Sequence, residues 1–366
     1  MYNDLDITLE EAKMKKKLLS LILGSALALT VFAGCAKTET TVTEAPVSES
    51  DTEELIIESE DEDEDIFGSY EETEPLDYEK PTVDRAGVAI EVPDQVDRIV
   101  SLAPSTTQFL IELGLSDKIV GIDSNSVDYL EDLDPTIPNF DMMNPDNEAI
   151  AALEPDIVFT SGMSYVGGES PFQSLVDAGI CVADIPTPAT LDDLKLDLQF
   201  IGLCVNEPEV ADGYVESMEL MLDEIQAFAA EVPETKTVLF MMSIPSADYP
   251  MIYSFGDGTY MSDMLDEVGA VNACAGLEGW VALTEEEAIA MNPDVILTNY
   301  VWVEDPVGDI MALDGWSNVN AIKNGEVYLV NDNLCSRPNE HVTQAIIEWG
   351  SYIYPEQFAE LAEAIL

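Results

Sequence analysis

Basic residues and histidine are scarce in this chain: 13 Lys and Arg stand against 74 Asp and Glu, and His341 is its one histidine. The resulting net charge of −61 leaves no basic footprint for nucleic acid or for anionic lipid. A single imidazole also excludes a zinc or manganese site built from several histidines, so no metal site is expected. Neither G-x-S-x-G nor H-E-x-x-H occurs, which weighs against an extracytoplasmic hydrolase, although the many carboxylates could supply an acid/base pair. There is no C-x-x-C and no heptad run, and a monomer is expected.

Apolar residues, by contrast, make up 47% of the chain, enough for a large core, and 366 residues suggest about two domains. Residues 14–35 contain a basic start at Lys15, Lys16 and Lys17, an apolar run from Leu18 to Val31, and the ending Phe32-Ala33-Gly34-Cys35. Such a segment reads as a secretory signal, too short and too small at its end for a membrane span. The run V-F-A-G-C resembles the lipobox of bacterial lipoproteins. That resemblance implies diacylation of Cys35 and a mature protein anchored at the extracytoplasmic face of the cell membrane. The alternative is an ordinary signal peptide followed by a chance cysteine. Residues 1–13 carry Asp4, Asp6, Glu10 and Glu11 where a signal should be basic, so translation is expected to begin at Met14. Residues 1–34 hold four acids and four bases, and their removal leaves the charge at −61. The compartment permits disulfides, but Cys181, Cys204, Cys274 and Cys335 allow three pairings and the sequence does not choose.

Residues 35–85 read as an acidic linker. No Lys or Arg falls between Lys37 and Lys80, and residues 61–65 form an unbroken acidic block. Such a composition cannot bury enough surface to offset the entropy of ordering. Beyond it, short apolar runs near Ile99, Ile119, Ile157 and Cys181 alternate with helix-length segments, which predicts β-α-β units and mainly parallel sheets. From Glu207 to Ala230, Val210, Tyr214, Met218, Met221, Leu222, Ile225 and Phe228 recur at spacings of three and four, predicting one long amphipathic helix. A second alternating series follows, with apolar runs near Val238, Val295 and Val327. The expected organisation is an α/β lobe over 86–204, a connecting helix over 205–232 and a second α/β lobe over 233–366.

An internal echo supports two related lobes. Glu148 stands seven residues before Pro155-Asp156 and the run Ile157-Val158-Phe159-Thr160; Glu286 stands seven before Pro293-Asp294 and Val295-Ile296-Leu297-Thr298. Helix–strand junctions of this kind are common singly, but two in register suggest duplication.

With these segments in hand, a family can be named. VDRIVSLAPSTTQFLIELGLSDKIVGID resembles the opening of bacterial substrate-binding proteins for cobalamin and iron chelates. EAIAALEPDIVFTSG, EVGAVN, TEEEAIAMNPDVILT and SRPNEHVTQAIIEWGSYIYPE extend the resemblance over roughly residues 90–360. It implies two α/β lobes joined by one rigid helix, the ligand held between them, and delivery to an ABC permease dimer with its ATPase subunits. It also implies that Glu148 and Glu286 dock onto permease arginines, a task suited to paired carboxylates.

For the ligand, the resemblance points to Trp280, Tyr129 and Arg337. Met142 and Ser161 stand where the cobalamin-binding relative carries tryptophans. Tyr165 and Tyr249, with Tyr253, Tyr300 and Trp302, could supply replacement ring faces. Few cations are available, which favours a cobalamin-like corrinoid over an anionic catecholate chelate; a hydroxamate chelate or haem is the alternative, and a ligand sensor without a transporter is a further reading. No cofactor is expected, only a transported ligand.

Overall fold

In parallel α/β layers, both faces of each strand are covered, so strands are continuously apolar rather than alternating. The computed structural model, which describes residues 78–164 and 170–366, shows that consequence directly. Ile99 and Val100 of β1 (Ile99–Ser101) are fully buried, as are Ile157, Val158 and Phe159 of β4 (Ile157–Ser161). With β2 (Ile119–Asp123), β3 (Asn139–Phe140) and β5 (Cys181–Ile185) they form a parallel sheet in the order β3-β2-β1-β4-β5.

Past the connecting helix, β6 (Thr237–Met241), β8 (Val271–Asn272), β10 (Val295–Thr298) and β11 (Val327–Leu329) make a second parallel sheet, ordered β11-β10-β6-β8. An antiparallel pair, β7 (Ile252–Phe255) with β9 (Trp280–Leu283), stands apart from it. Each sheet has its own core, one around Val100, Val158 and Phe172 and the other around Leu239, Ile296 and Trp316. The fold is thus the expected two-lobed α/β architecture.

The helix joining the lobes runs over Pro208–Ala229, 22 residues or about 33 Å. Proline fits its first turn because no N–H partner is needed there. Ala211, Val215, Met218, Leu222, Ile225 and Phe228 form its buried stripe, and Phe228 meets Phe358 of the C-terminal helix with ring centroids 6.2 Å apart. The preceding helix, Leu191–Val205, ends at Asn206 with φ 65° and turns straight into it. Gly202 permits that turn: a Cβ there would lie 2.4 Å from the Cβ of Ala211.

The segment 78–85, expected within the linker, is docked instead. The Tyr78 hydroxyl donates to Asp212 at 2.8 Å, Lys80 donates to the Pro93 carbonyl, and Arg85 pairs with Asp197. The few cations near the linker's end thus find acceptors on the body, which composition over a whole segment hides. Cys35, the signal and the acidic block lie outside the described residues. Cys181, Cys204, Cys274 and Cys335 are buried free thiols. Among the described residues, no helix is long and apolar enough to cross a membrane.

Candidate functional site

The C-terminal ends of parallel strands leave their loops on one edge of each sheet, where α/β proteins place their ligands. Here the loops after β1, β2, β4 and β5 face those after β6, β10 and β11 across a cavity of about 1010 Å³. Its size lies at the upper end of small-molecule sites. Pro104, Ser105 and Thr106 bring the start of the helix Pro104–Glu112 to the wall. That helix has no side-chain cap and no acid in its first turn, so its leading N–H groups can serve a ligand oxygen.

The second lobe supplies the rings. Trp280 opens β9, half-exposed at 48%, and is held edge-on by Phe255 and Tyr260, each with centroids 6.4 Å away. Trp302 also lines the cavity and is 82% exposed. Met163, Met242 and Met261 add soft apolar surface.

Arg337 is the sole basic residue lining the cavity among the described residues. It is already engaged: Nη2 pairs with Asp128 Oδ2 at 2.8 Å, Nη1 donates to the Tyr129 hydroxyl at 2.5 Å, and the guanidinium lies 5.0 Å from the centre of the Tyr129 ring. Tyr129 in turn donates to Gln108 Oε1, which also accepts from Asn339 Nδ2, both at 2.8 Å. The second lobe is thereby latched to the first beside the cavity. Burial opposes the Arg337 charge, yet Asp128 and Tyr129 outweigh it and raise its pKa. Asp197 also lines the cavity; burial pushes it up to about 6 despite Arg85. Asp332 accepts from Asn299 and from Ser336, at 2.9 and 2.6 Å.

Of the residues that the sequence singled out, Met142, Ser161, Trp280, Trp302 and Arg337 line this cavity, and Tyr129 stands behind Arg337. Tyr249 is 75% exposed and does not line it, and Tyr165 lies outside the described residues. Sequence reasoning missed Asp128, whose signal was only its adjacency to Tyr129, and the uncapped helix start at Pro104.

Glu148 and Glu286 occupy equivalent places, each the second residue of a short helix, Asn147–Ala152 and Glu285–Met291. Both are exposed. The neighbours of Glu286 are employed: Glu287 accepts from the Thr284 backbone N–H at 2.8 Å, and Glu285 accepts from the Trp316 indole at 3.1 Å.

The periplasmic binding protein family profile matches residues 99–334. A Bacillus subtilis protein named as an uncharacterized ABC transporter substrate-binding lipoprotein is 32% identical over 281 residues, 76% of this chain and 86% of that protein. The vitamin B12-binding protein of Vibrio parahaemolyticus is 23% identical over 256 residues, 70% of this chain and 88% of the relative. The molybdate-bound structure of a molybdate-binding protein from Haemophilus influenzae superposes with a TM-score of 0.63 at 21% identity, covering 76% of this chain and 92% of that one.

Proposed function

The chain belongs to the periplasmic binding protein family, and from that premise we propose that it captures a cobalamin-like corrinoid between its lobes for an ABC importer. As a solute-binding protein it is not an enzyme, and its small molecule is cargo rather than cofactor. The observation that carries the choice of cargo is the state of Arg337. The sole basic residue on the cavity wall among the described residues is neutralised by Asp128, as Asp197 is by Arg85, while Asp332 adds acidic character. A catecholate chelate, a haem with two propionates or a molybdate would meet no free positive charge there. Molybdate would also fill only a small part of about 1010 Å³. A large ligand of little net charge suits the volume, the exposed faces of Trp280 and Trp302, and the thioethers. Its amide carbonyls and phosphate suit the uncapped helix start at Ser105 and Thr106. A ferric hydroxamate, also near neutral, is the second reading on the same charge argument.

In this reading Cys35 carries the lipid anchor and holds the protein at the extracytoplasmic face. The lipobox-like run supports that, as does the lipoprotein name of the Bacillus subtilis relative. Glu148 and Glu286 dock onto basic sites of the permease.

The test is a tryptophan-fluorescence titration of the chain from Ala36 to Leu366 with cyanocobalamin, a ferric hydroxamate, a ferric catecholate, haem and molybdate. Saturable one-to-one quenching by cyanocobalamin is expected, with affinity lowered about tenfold or more in Trp280→Ala. Binding of the hydroxamate alone would shift the cargo to iron chelates. Tight binding of catecholate or molybdate would sink the charge argument.

A further inference from the structure

Beside the interlobe latch, the chain's one histidine stands between carboxylates from both lobes. Glu112 ends the helix Pro104–Glu112 of the first lobe, whereas Glu340 and His341 lead into the helix Val342–Ile353 of the second. His341 Nε2 lies 3.5 Å from Glu112 Oε1 and 3.1 Å from Glu340 Oε1. One donor atom from each of the three residues falls within 4.8 Å of the other two. We infer that Glu112, Glu340 and His341 bind one divalent cation of the zinc type, which ties the first lobe to the second.

Four observations carry this. An imidazole with two carboxylates is a donor set that zinc and its neighbours accept. In a tetrahedral site with bonds near 2.0–2.1 Å, donors sit about 3.3 Å apart. Two of the three donor separations, 3.5 and 3.1 Å, already lie close to that. Glu340 is only 8% exposed, and apart from His341 Nε2 at 3.1 Å no donor among the described residues reaches its carboxylate oxygens. A buried carboxylate so poorly served is costly and calls for a cation. Finally, the Glu112 side chain is 38% exposed, which gives a cation access and leaves room for water as a fourth ligand. The Tyr214 hydroxyl, 3.1 Å from the Glu112 carbonyl and 3.4 Å from Oε2, steadies that side chain from outside.

The sequence expectation of no metal rested on the solitary histidine. It could not show that folding delivers two glutamates, one from a distant helix end.

The chain from Ala36 to Leu366, stripped with a chelator, is titrated with Zn²⁺ by calorimetry in two buffers of different ionisation enthalpy. Co²⁺ is followed in parallel by its visible spectrum. One site is expected, with a ligand-field band typical of low coordination. Glu112→Gln should weaken binding about tenfold or more, and His341→Gln should remove it. The Glu112 side chain is partly exposed, so its variant keeps the fold, and it decides the matter even if the His341 variant does not. Absence of a one-site isotherm, or binding unchanged in Glu112→Gln, would overturn the site and leave only cation uptake by an acidic surface. The inference stands independently of which cargo the cleft takes.

Discussion

The two lobes share a frame and differ in the wall each turns to the cleft. In the first lobe, the Asp156 carboxylate accepts the backbone N–H of Asp97 and of Arg98 at 2.8 and 2.9 Å, and its own N–H reaches the Arg98 carbonyl at 2.8 Å. In the second, Asp294 accepts from the Thr237 N–H at 3.1 Å and donates to the Thr237 carbonyl at 2.8 Å. Each Pro-Asp therefore staples the strand it launches to the neighbouring strand, β4 to β1 and β10 to β6. The short helix before each staple is left through a residue of positive φ, Glu154 at 49° and Asn292 at 48°. The walls are unlike. Most of the prolines and serines, with Met142, come from the first lobe; Trp280 and Trp302 come from the second, Trp280 on a strand pair with no counterpart in the first. What the lobes share is the part suited to a two-fold partner, and what they do not share is the part suited to one asymmetric ligand.

The sharpest way to break the comparison is to unbalance the shared part. Glu148→Arg and Glu286→Arg should each lower transport about tenfold or more, by replacing attraction with repulsion at a charged interface, while ligand titrations remain unchanged. Equal losses from the two substitutions would support symmetric docking. Loss from one alone would confine docking to a single lobe, and loss from neither would end the docking proposal.

A smaller effect concerns the join between lobes. His341 faces Glu112 and Glu340, with the Tyr214 hydroxyl against Glu112. Its pKa rises from 6.5 to about 10 on folding, so the folded chain holds the proton more tightly. The stabilisation is therefore complete below about pH 6.5, declines as pH rises, and is gone above about pH 10. In metal-free protein, the unfolding free energy from urea titrations should fall across that window by at most about 1.4 kcal/mol per pH unit, less for solvent screening at Glu112. His341→Gln should flatten this slope; an unchanged slope would remove His341 from the join.

The frame was more legible in the sequence than the site. Apolar runs near Ile99, Ile119, Ile157, Cys181, Val238, Val295 and Val327 became β1, β2, β4, β5, β6, β10 and β11, because a strand buried on both faces leaves a continuous local signal. The strand pair β7–β9 left none: Tyr253, Trp280 and Ala282 are exposed on it, so its pattern is interrupted. The cleft was legible only where resemblance pointed. Nothing local to Arg337 announces Asp128, since their pairing depends on two lobes meeting. The same holds for Glu112 beside His341.

Smaller still are two tests of the staples themselves. Asp294→Ala should cost about 2 kcal/mol and Asp156→Ala about 1 kcal/mol. The Asp294 bonds are part-buried and also include Asn320 Nδ2 at 3.0 Å, whereas the Asp156 acceptors serve exposed N–H groups that water can satisfy. Reversed values from urea unfolding would contradict that ordering. The smallest effect lies at the positive-φ exits. Left-handed backbone is strained for glutamate and tolerated by asparagine, whose short side chain bonds locally. The first lobe carries the strained residue and the second the relaxed one, at φ values one degree apart. Exchanging them should thus act with opposite signs: Glu154→Asn should stabilise by about 0.5–1 kcal/mol and Asn292→Glu should destabilise by a similar amount. In thermal unfolding this amounts to shifts of roughly 1–4 °C in Tm, upward for the first and downward for the second. Shifts of the same sign would mean that the two exits, alike in backbone, are held by different surroundings, and that the likeness of the lobes stops at the staples.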